Sequence, residues 1–151
     1  MMITGNVQVS SEHLSLGRDM VVPPVLTENS VRPFKRLAEA MHGEHPSNSQ
    51  PTLAIMQLSH TGRQSANLIG GRLPFAAPLA PSAIRLDLDK TGSISLSSLL
   101  SWLMFQTPRE MSHDDIDATV GAFVRGARLA VESGFDGVEL HSGHGCTYAP
   151  S

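Results

Sequence analysis

The stretch from Ser112 to His141 constrains the fold most. Ser112 is a strong N-cap, and Asp115 stands three residues later, where a carboxylate can close a capping box. Ile116, Val120, Phe123, Val124, Ala127, Ala130 and Val131 then recur at i, i+4, i+7, i+8, i+11, i+14 and i+15. That spacing predicts a helix of about five turns with one buried face. Gly134 falls where a helix stops, and Asp136-Gly137 turns the chain into Val138-Glu139-Leu140-His141, a short strand. A long amphipathic helix delivered through so short a turn into a strand is the second half of a helical crossover between parallel strands.

The rest of the chain repeats that logic. Ile3 to Val9 is rich in β-branched residues and reads as a strand. Residues 10–29 read as loop. Asn29 or Ser30 caps a helix from Val31 to about His42, with Pro33 in its first turn and Phe34, Leu37, Ala38 and Met41 on one face. Thr52 to Leu58 is a continuous apolar run broken only by Gln57, which fits a buried parallel strand. Residues 59–95 carry several Gly and Pro and read as a long loop, and Leu96 to Phe105 as a short helix ended at Thr107-Pro108-Arg109. The expected fold class is α/β, in a single domain over residues 1–151.

Charge narrows the function. Eleven Lys and Arg against 14 Asp and Glu leave a net charge of -3, the wrong sign for nucleic acid or an anionic membrane as main partner. The run Leu96 to Phe105 is half the ~20 residues a membrane helix needs. Met1 to Asn6 shows no basic segment leading into an apolar one, so no secretory signal is expected. The single cysteine, Cys146, excludes an intramolecular disulfide, and a reducing, cytoplasmic setting follows as the expectation.

Functional side chains of parallel α/β folds gather at the carboxyl ends of strands. Two such ends are polar. One is Gln57-Leu58-Ser59-His60, running on to Arg63; the other is Glu139-Leu140-His141-Ser142-Gly143-His144. A strand-end glutamine offers a donor and an acceptor together, which suits a flat heterocycle. Two histidines three apart can donate to a carbonyl oxygen or a developing enolate. Plainer roles stand beside these: a satisfied strand end for Gln57, a surface or ion-pairing role for Arg63, a structural role for the histidines. Metal ligation by the pair lacks the carboxylate or cysteine at zinc-site spacing, so no metal is expected. Leu96 to Phe105 can be core or lid packing, and Asp114, Asp115 and Asp117 a solvated first turn. Cys146 is either a reactive thiol or a small apolar residue.

Five segments in this order resemble the old yellow enzyme family of NADH:flavin oxidoreductases. They are Ile3-Thr4-Gly5-Asn6-Val7; Ala54 to Ser65; Pro78-Leu79-Ala80-Pro81-Ser82; Pro108-Arg109-Glu110-Met111; and Gly134 to Gly145 with its Phe-Asp-Gly-Val-Glu-Leu-His core. The resemblance implies a TIM barrel that binds FMN at the carboxyl face of its strands. It implies reduction of FMN by NAD(P)H and hydride transfer to an activated alkene such as an α,β-unsaturated carbonyl. By the same resemblance Gln57, with Asn6, binds the flavin, and His141 and His144 grip the substrate carbonyl. Cys146 stands where the family has a proton-donating tyrosine, and Tyr148 lies two places further on. The segments match strands two to four of the (β/α)8 barrel with their crossover helices, part of a fold that takes ~250 residues. Two readings follow: an ene-reductase barrel segment, or a catalytically inactive remnant that acts through association with a partner chain. Open strand edges make self-association an expectation in either.

Overall fold

A computed structural model describes residues 1–15, 17–44, 50, 52–86 and 96–143, without the side chains of 96–98. Its centre is a four-stranded sheet of β1 (Met2–Gln8), β2 (Met20–Val21), β3 (Ala54–Ser59) and β6 (Gly137–Leu140). The order is β2-β1-β3-β6 and every pairing is parallel. Helix α1 (Glu28–His42) links β1 and β2 to β3, and α3 (His113–Glu132) leads into β6. A second, two-stranded parallel sheet pairs β4 (Leu79–Ala80) with β5 (Arg109–Glu110). Helix α2 (Leu96–Met104) lies between them in sequence.

The three expected strands are present, adjacent and parallel. The loops hold more order than their composition indicates. Residues 10–29 contain β2, and residues 59–95 contain a 3-10 turn (Gly62–Gln64) and β4. These strands are two residues long, too short for hydrophobic periodicity to register. Their hydrogen bonds come from elsewhere in the chain, as when Val22 N–H donates to Gln8 O at 2.8 Å.

Alternation along the strands divides the sheet into two chemically distinct faces. Val7, Val9, Ala54, Met56 and Leu58 point to the helices and pack with Ala38, Met41, Ala122, Phe123, Leu129, Ala130 and Phe135. Asn6, Gln8, Gln57, Ser59 and Glu139 fall on the opposite, inward face.

Both long helices differ in detail from their sequence patterns. The cap of α1 is Thr27, not Asn29 or Ser30; Thr27 and Ser30 exchange the reciprocal bonds of a capping box. The helix therefore starts earlier and Pro33 sits in its second turn. Helix α3 is capped as expected by Ser112 with Asp115, and Gly134 takes a left-handed φ of 80° just past its end. Its buried face, however, is Thr119, Ala122, Phe123, Gly126, Leu129 and Ala130. Ile116, Val120, Val124 and Val131 are exposed. The sheet contact takes small residues because the helix sits close on it: a Cβ on Gly126 would stand 2.8 Å from Leu58 Cδ2. The valine stripe lies on a neighbouring flank. Arg125 Nε donates to Pro23 O at 3.1 Å, so the flank carrying Arg125 faces the segment before α1. At about 100° per residue, Val120 and Val124 lie on the other side.

Candidate functional site

The site is built from the inward face at the carboxyl ends of β1, β3 and β6. Asn6 pairs with Gln57, and Gln57 with Glu139, in one row across three strands. A β-bulge makes this row possible. The register runs Ile3–Ile55 and then Asn6–Gln57, so β1 holds one extra residue. Without it Gly5 would stand opposite Gln57 and Asn6 would turn toward the helices. Thr4 repairs the ladder: its Oγ1 accepts the Gln57 N–H at 2.9 Å and its hydroxyl donates to Gly5 O at 2.8 Å.

Within the row, Gln57 Nε2 donates to Glu139 Oε1 at 3.1 Å. The next row pairs Gln8 with Ser59. His141 follows β6 at the same level, its N–H donating to Leu58 O at 2.9 Å. Interior rows of parallel barrels are ordinarily filled by Val, Ile and Leu. Here they are amides, a hydroxyl, a carboxylate and an imidazole. Gln8 is 0% exposed, yet neither its Oε1 nor its Nε2 has a partner among the described residues, and Ser59 Oγ has none there either. Buried polar atoms are almost always paired, so this face holds unused donors and acceptors.

These donors fit one edge of a flavin. The pyrimidine edge of an isoalloxazine carries an N–H flanked by two carbonyls. Gln57, with one amide N–H engaged by Glu139, still presents a carbonyl oxygen and a second N–H. The structure brings together three sequence-predicted residues, Asn6, Gln57 and His141. His144 and Cys146 lie outside the described residues, as does Tyr148. Sequence reasoning misses Glu139 and Gln8 as site residues. Glu139 is two residues before His141, and period-two alternation puts both on one face; that is the available signal.

Beyond Ser59 the polar end of β3 turns away from this face. His60 follows β3 and stacks on His13, ring centroids 4.5 Å apart. Both border a cleft of about 450 Å³ on the helix side of the sheet, shared with Ser10, Pro23, Asp115 and Arg125. His13 Nε2 accepts the Leu79 N–H at 3.1 Å, which leaves Nδ1 to donate to Ser10 Oγ at 3.0 Å. Burial pushes His13 down to about 3, helped by His60 and Arg72, and burial pushes His60 down to about 4. His13 thus ties β4 to the loop after β1, and His60 packs against its ring. This cleft is thus not where the predicted site residues meet.

Arg63 is buried, not on the surface, and donates from Nη2 to Ser82 Oγ at 3.1 Å. Asp115 does more than solvate a first turn. It accepts both guanidinium N–H groups of Arg109, at 2.9 and 3.0 Å, and closes the cap on Ser112. Arg109 and Ser112 hold its carboxyl well below the usual carboxylate range. The stretch Leu96 to Phe105 is helical over Leu96–Met104, but Leu99, Leu100 and Trp102 are more than half exposed rather than core. No described helix is long and apolar enough to cross a membrane.

Known proteins share this architecture and sequence. The NADH-dependent flavin oxidoreductase iliE of Neonectria sp. is 42% identical over 146 residues, covering 96% of this chain and 18% of that protein. The NADH-dependent flavin oxidoreductase iccE of Talaromyces variabilis is 41% identical over 145 residues, covering 96% of this chain and 33% of its own length. The chain therefore spans a fifth to a third of these relatives. Morphinone reductase superposes with a TM-score of 0.69 at 23% identity, over 96% of this chain and 36% of that one. The parallel sheet with its outer helices is thus part of a TIM barrel, as expected from the sequence. The match of residues 1–148 to the family model makes the chain a member of the NADH:flavin oxidoreductase / NADH oxidase family.

Proposed function

We propose that this chain supplies flavin- and substrate-facing side chains of an FMN-dependent ene-reductase driven by NAD(P)H in the cytoplasm. The row Asn6–Gln57–Glu139, polar where a barrel interior is normally apolar, is the observation that carries this reading.

Gln57 and Asn6 would hold the pyrimidine edge of the isoalloxazine. FMN held there would supply the redox chemistry, hydride transfer from NAD(P)H to the β-carbon of the alkene. His141, from the end of β6, and His144, three residues on, would hydrogen-bond the substrate carbonyl oxygen. Their donors stabilise the negative charge that develops there as hydride arrives. A proton would have to reach the α-carbon, and in the sequence Cys146 stands where the family has its proton-donating tyrosine. One alkene, one NAD(P)H and one proton give the saturated carbonyl and NAD(P)+.

The test is direct. The purified chain is mixed with FMN, desalted, and its visible spectrum read for retained flavin; enone turnover is then assayed. Retained flavin with a perturbed spectrum supports the reading, and its loss on desalting contradicts it. His141→Ala should weaken phenol or enone binding and leave flavin content unchanged; flavin loss with ligand affinity intact would overturn that division of roles.

A second reading has its own observation. Ile116, Val120, Val124 and Val131 on α3, with Val138 and Leu140 on β6, expose apolar side chains. Such a surface favours association with another chain, as an inactive barrel remnant would require. Flavin-free chain that assembles with itself or a partner would support this reading instead.

A further inference from the structure

We infer that Glu139 is a positioning residue that fixes the amide orientation of Gln57, and so decides which way its donor and acceptor face. The inference rests on the flavin reading above and deepens it.

A glutamine amide can flip by a half-turn at little cost, exchanging its carbonyl and NH2 groups. A residue that must present a donor and an acceptor in fixed order to a flat ring needs a neighbour that breaks this symmetry. An ionised carboxylate does so, because it can only accept. Glu139 is directly opposite Gln57 on the adjacent parallel strand, on the same inward face. Its Oε1 takes an N–H of Gln57 Nε2 at 3.1 Å. In the flipped orientation two oxygens would face each other, one of them charged. The amide is therefore locked with Nε2 toward β6 and Oε1 turned from it.

Position adds to the lock. The backbone N–H of Gln57 is held by Thr4 Oγ1 at 2.9 Å, so main chain and side chain are fixed from opposite neighbouring strands. The bulge that creates the Thr4 contact also sets Asn6 beside Gln57. The presented group is then one carbonyl and one N–H of Gln57, oriented by β6, with the amide of Asn6 alongside.

The experiment compares the full chain with Glu139→Gln and Glu139→Leu. In Glu139→Gln the new amide can still accept through its carbonyl, whereas the leucine side chain of Glu139→Leu cannot. The first readout needs no flavin. The side-chain NH2 signals of Gln57 in 15N–1H spectra should move strongly in Glu139→Leu and stay near wild type in Glu139→Gln. Gln57→Glu identifies those signals by their disappearance. The second readout is FMN affinity from fluorescence quenching. Glu139→Leu should weaken it about two- to tenfold, the cost of ordering the freed amide on binding. Glu139→Gln should restore most of it, and thermal midpoints should separate positioning from unfolding. Unchanged Gln57 amide signals in Glu139→Leu would overturn the inference. So would equal FMN affinity in the wild type and Glu139→Leu. A wild-type chain that binds no FMN would contradict the flavin reading, and the amide signals would then decide on the Glu139–Gln57 lock alone.

Discussion

Asp136 Oδ2 accepts the backbone N–H of Ala54 at 2.7 Å, tying the turn before β6 to the first residue of β3. The same oxygen accepts His42 Nε2 at 2.9 Å, from the last turn of α1. One carboxylate thus pins three elements at the amino ends of the strands. It lies at the start of the β3–β6 register that places Glu139 opposite Gln57 three residue pairs further on.

That bond predicts an acid-sensitive register. The Ala54 N–H, and then His42, hold the Asp136 carboxyl below its usual value. Its contribution is full above the unfolded pKa of ~4 and is lost as pH falls through the lowered folded value. Asp136→Ala should lower the urea midpoint at pH 7. Asp136→Asn, which can still accept from Ala54, should lose less and show a flatter response to acid. Equal midpoints for all three proteins would contradict this role.

The stacked pair His13 and His60 predicts a second, higher window. Their folded values of about 3 and about 4 lie below the unfolded ~6.5. Between pH ~6.5 and 4 the unfolded chain binds protons that the folded chain refuses, so stability falls as pH drops through that range. His60→Gln should flatten the slope between about pH 6.5 and 4.5, measured as urea midpoint against pH. An unaltered slope would mean that these imidazoles titrate normally.

Packing between α3 and the sheet gives a prediction independent of charge. A Cβ on Gly126 would lie 2.8 Å from Leu58 Cδ2 and 3.3 Å from Val22 Cγ2. Gly126→Val should cost about 1–3 kcal/mol by overpacking. Leu58→Ala alone should cost about 2–5 kcal/mol. The double variant should be more stable than the sum of the two losses, since each change makes room for the other. Strict additivity in denaturant titrations would show that the two sites do not touch.

The valine stripe of α3 predicts association. Val124 is 48% exposed, so Val124→Glu should change stability by no more than ~0.5 kcal/mol. It should nevertheless shift sedimentation or gel-filtration profiles toward the monomer. A wild-type chain that is already monomeric at high concentration would remove the reason for the stripe.

Much of this is legible in the sequence because periodicity and motif agree. Thr52 to Leu58 reads as a buried parallel strand, and β3 occupies Ala54–Ser59. Ser112, Asp115 and Gly134 mark the ends of α3 as the structure has them. The face of α3 is misread because large apolar residues outvote small ones in a periodic pattern. The sheet takes Thr119, Ala122 and Gly126, since close approach favours missing side-chain volume. Strands β2, β4 and β5 are unreadable because two residues carry no period. The row Asn6–Gln57–Glu139 is half legible. Gln57 stands out as polar in an apolar run, but the bulge that turns Asn6 toward it depends on pairing between strands far apart in sequence. Glu139 looks like an ordinary alternating polar residue until its partner across the sheet is known.

The most direct test of the account is FMN binding by the purified chain and by Gln57→Ala, followed through flavin absorbance and fluorescence. The account predicts that the wild type retains FMN with a shifted visible spectrum. Gln57→Ala should weaken binding by about tenfold or more, from the loss of its donor and acceptor. Indistinguishable affinities for the two proteins, or no retention by a folded wild type, would contradict the claim that the inward face of this sheet is a flavin site.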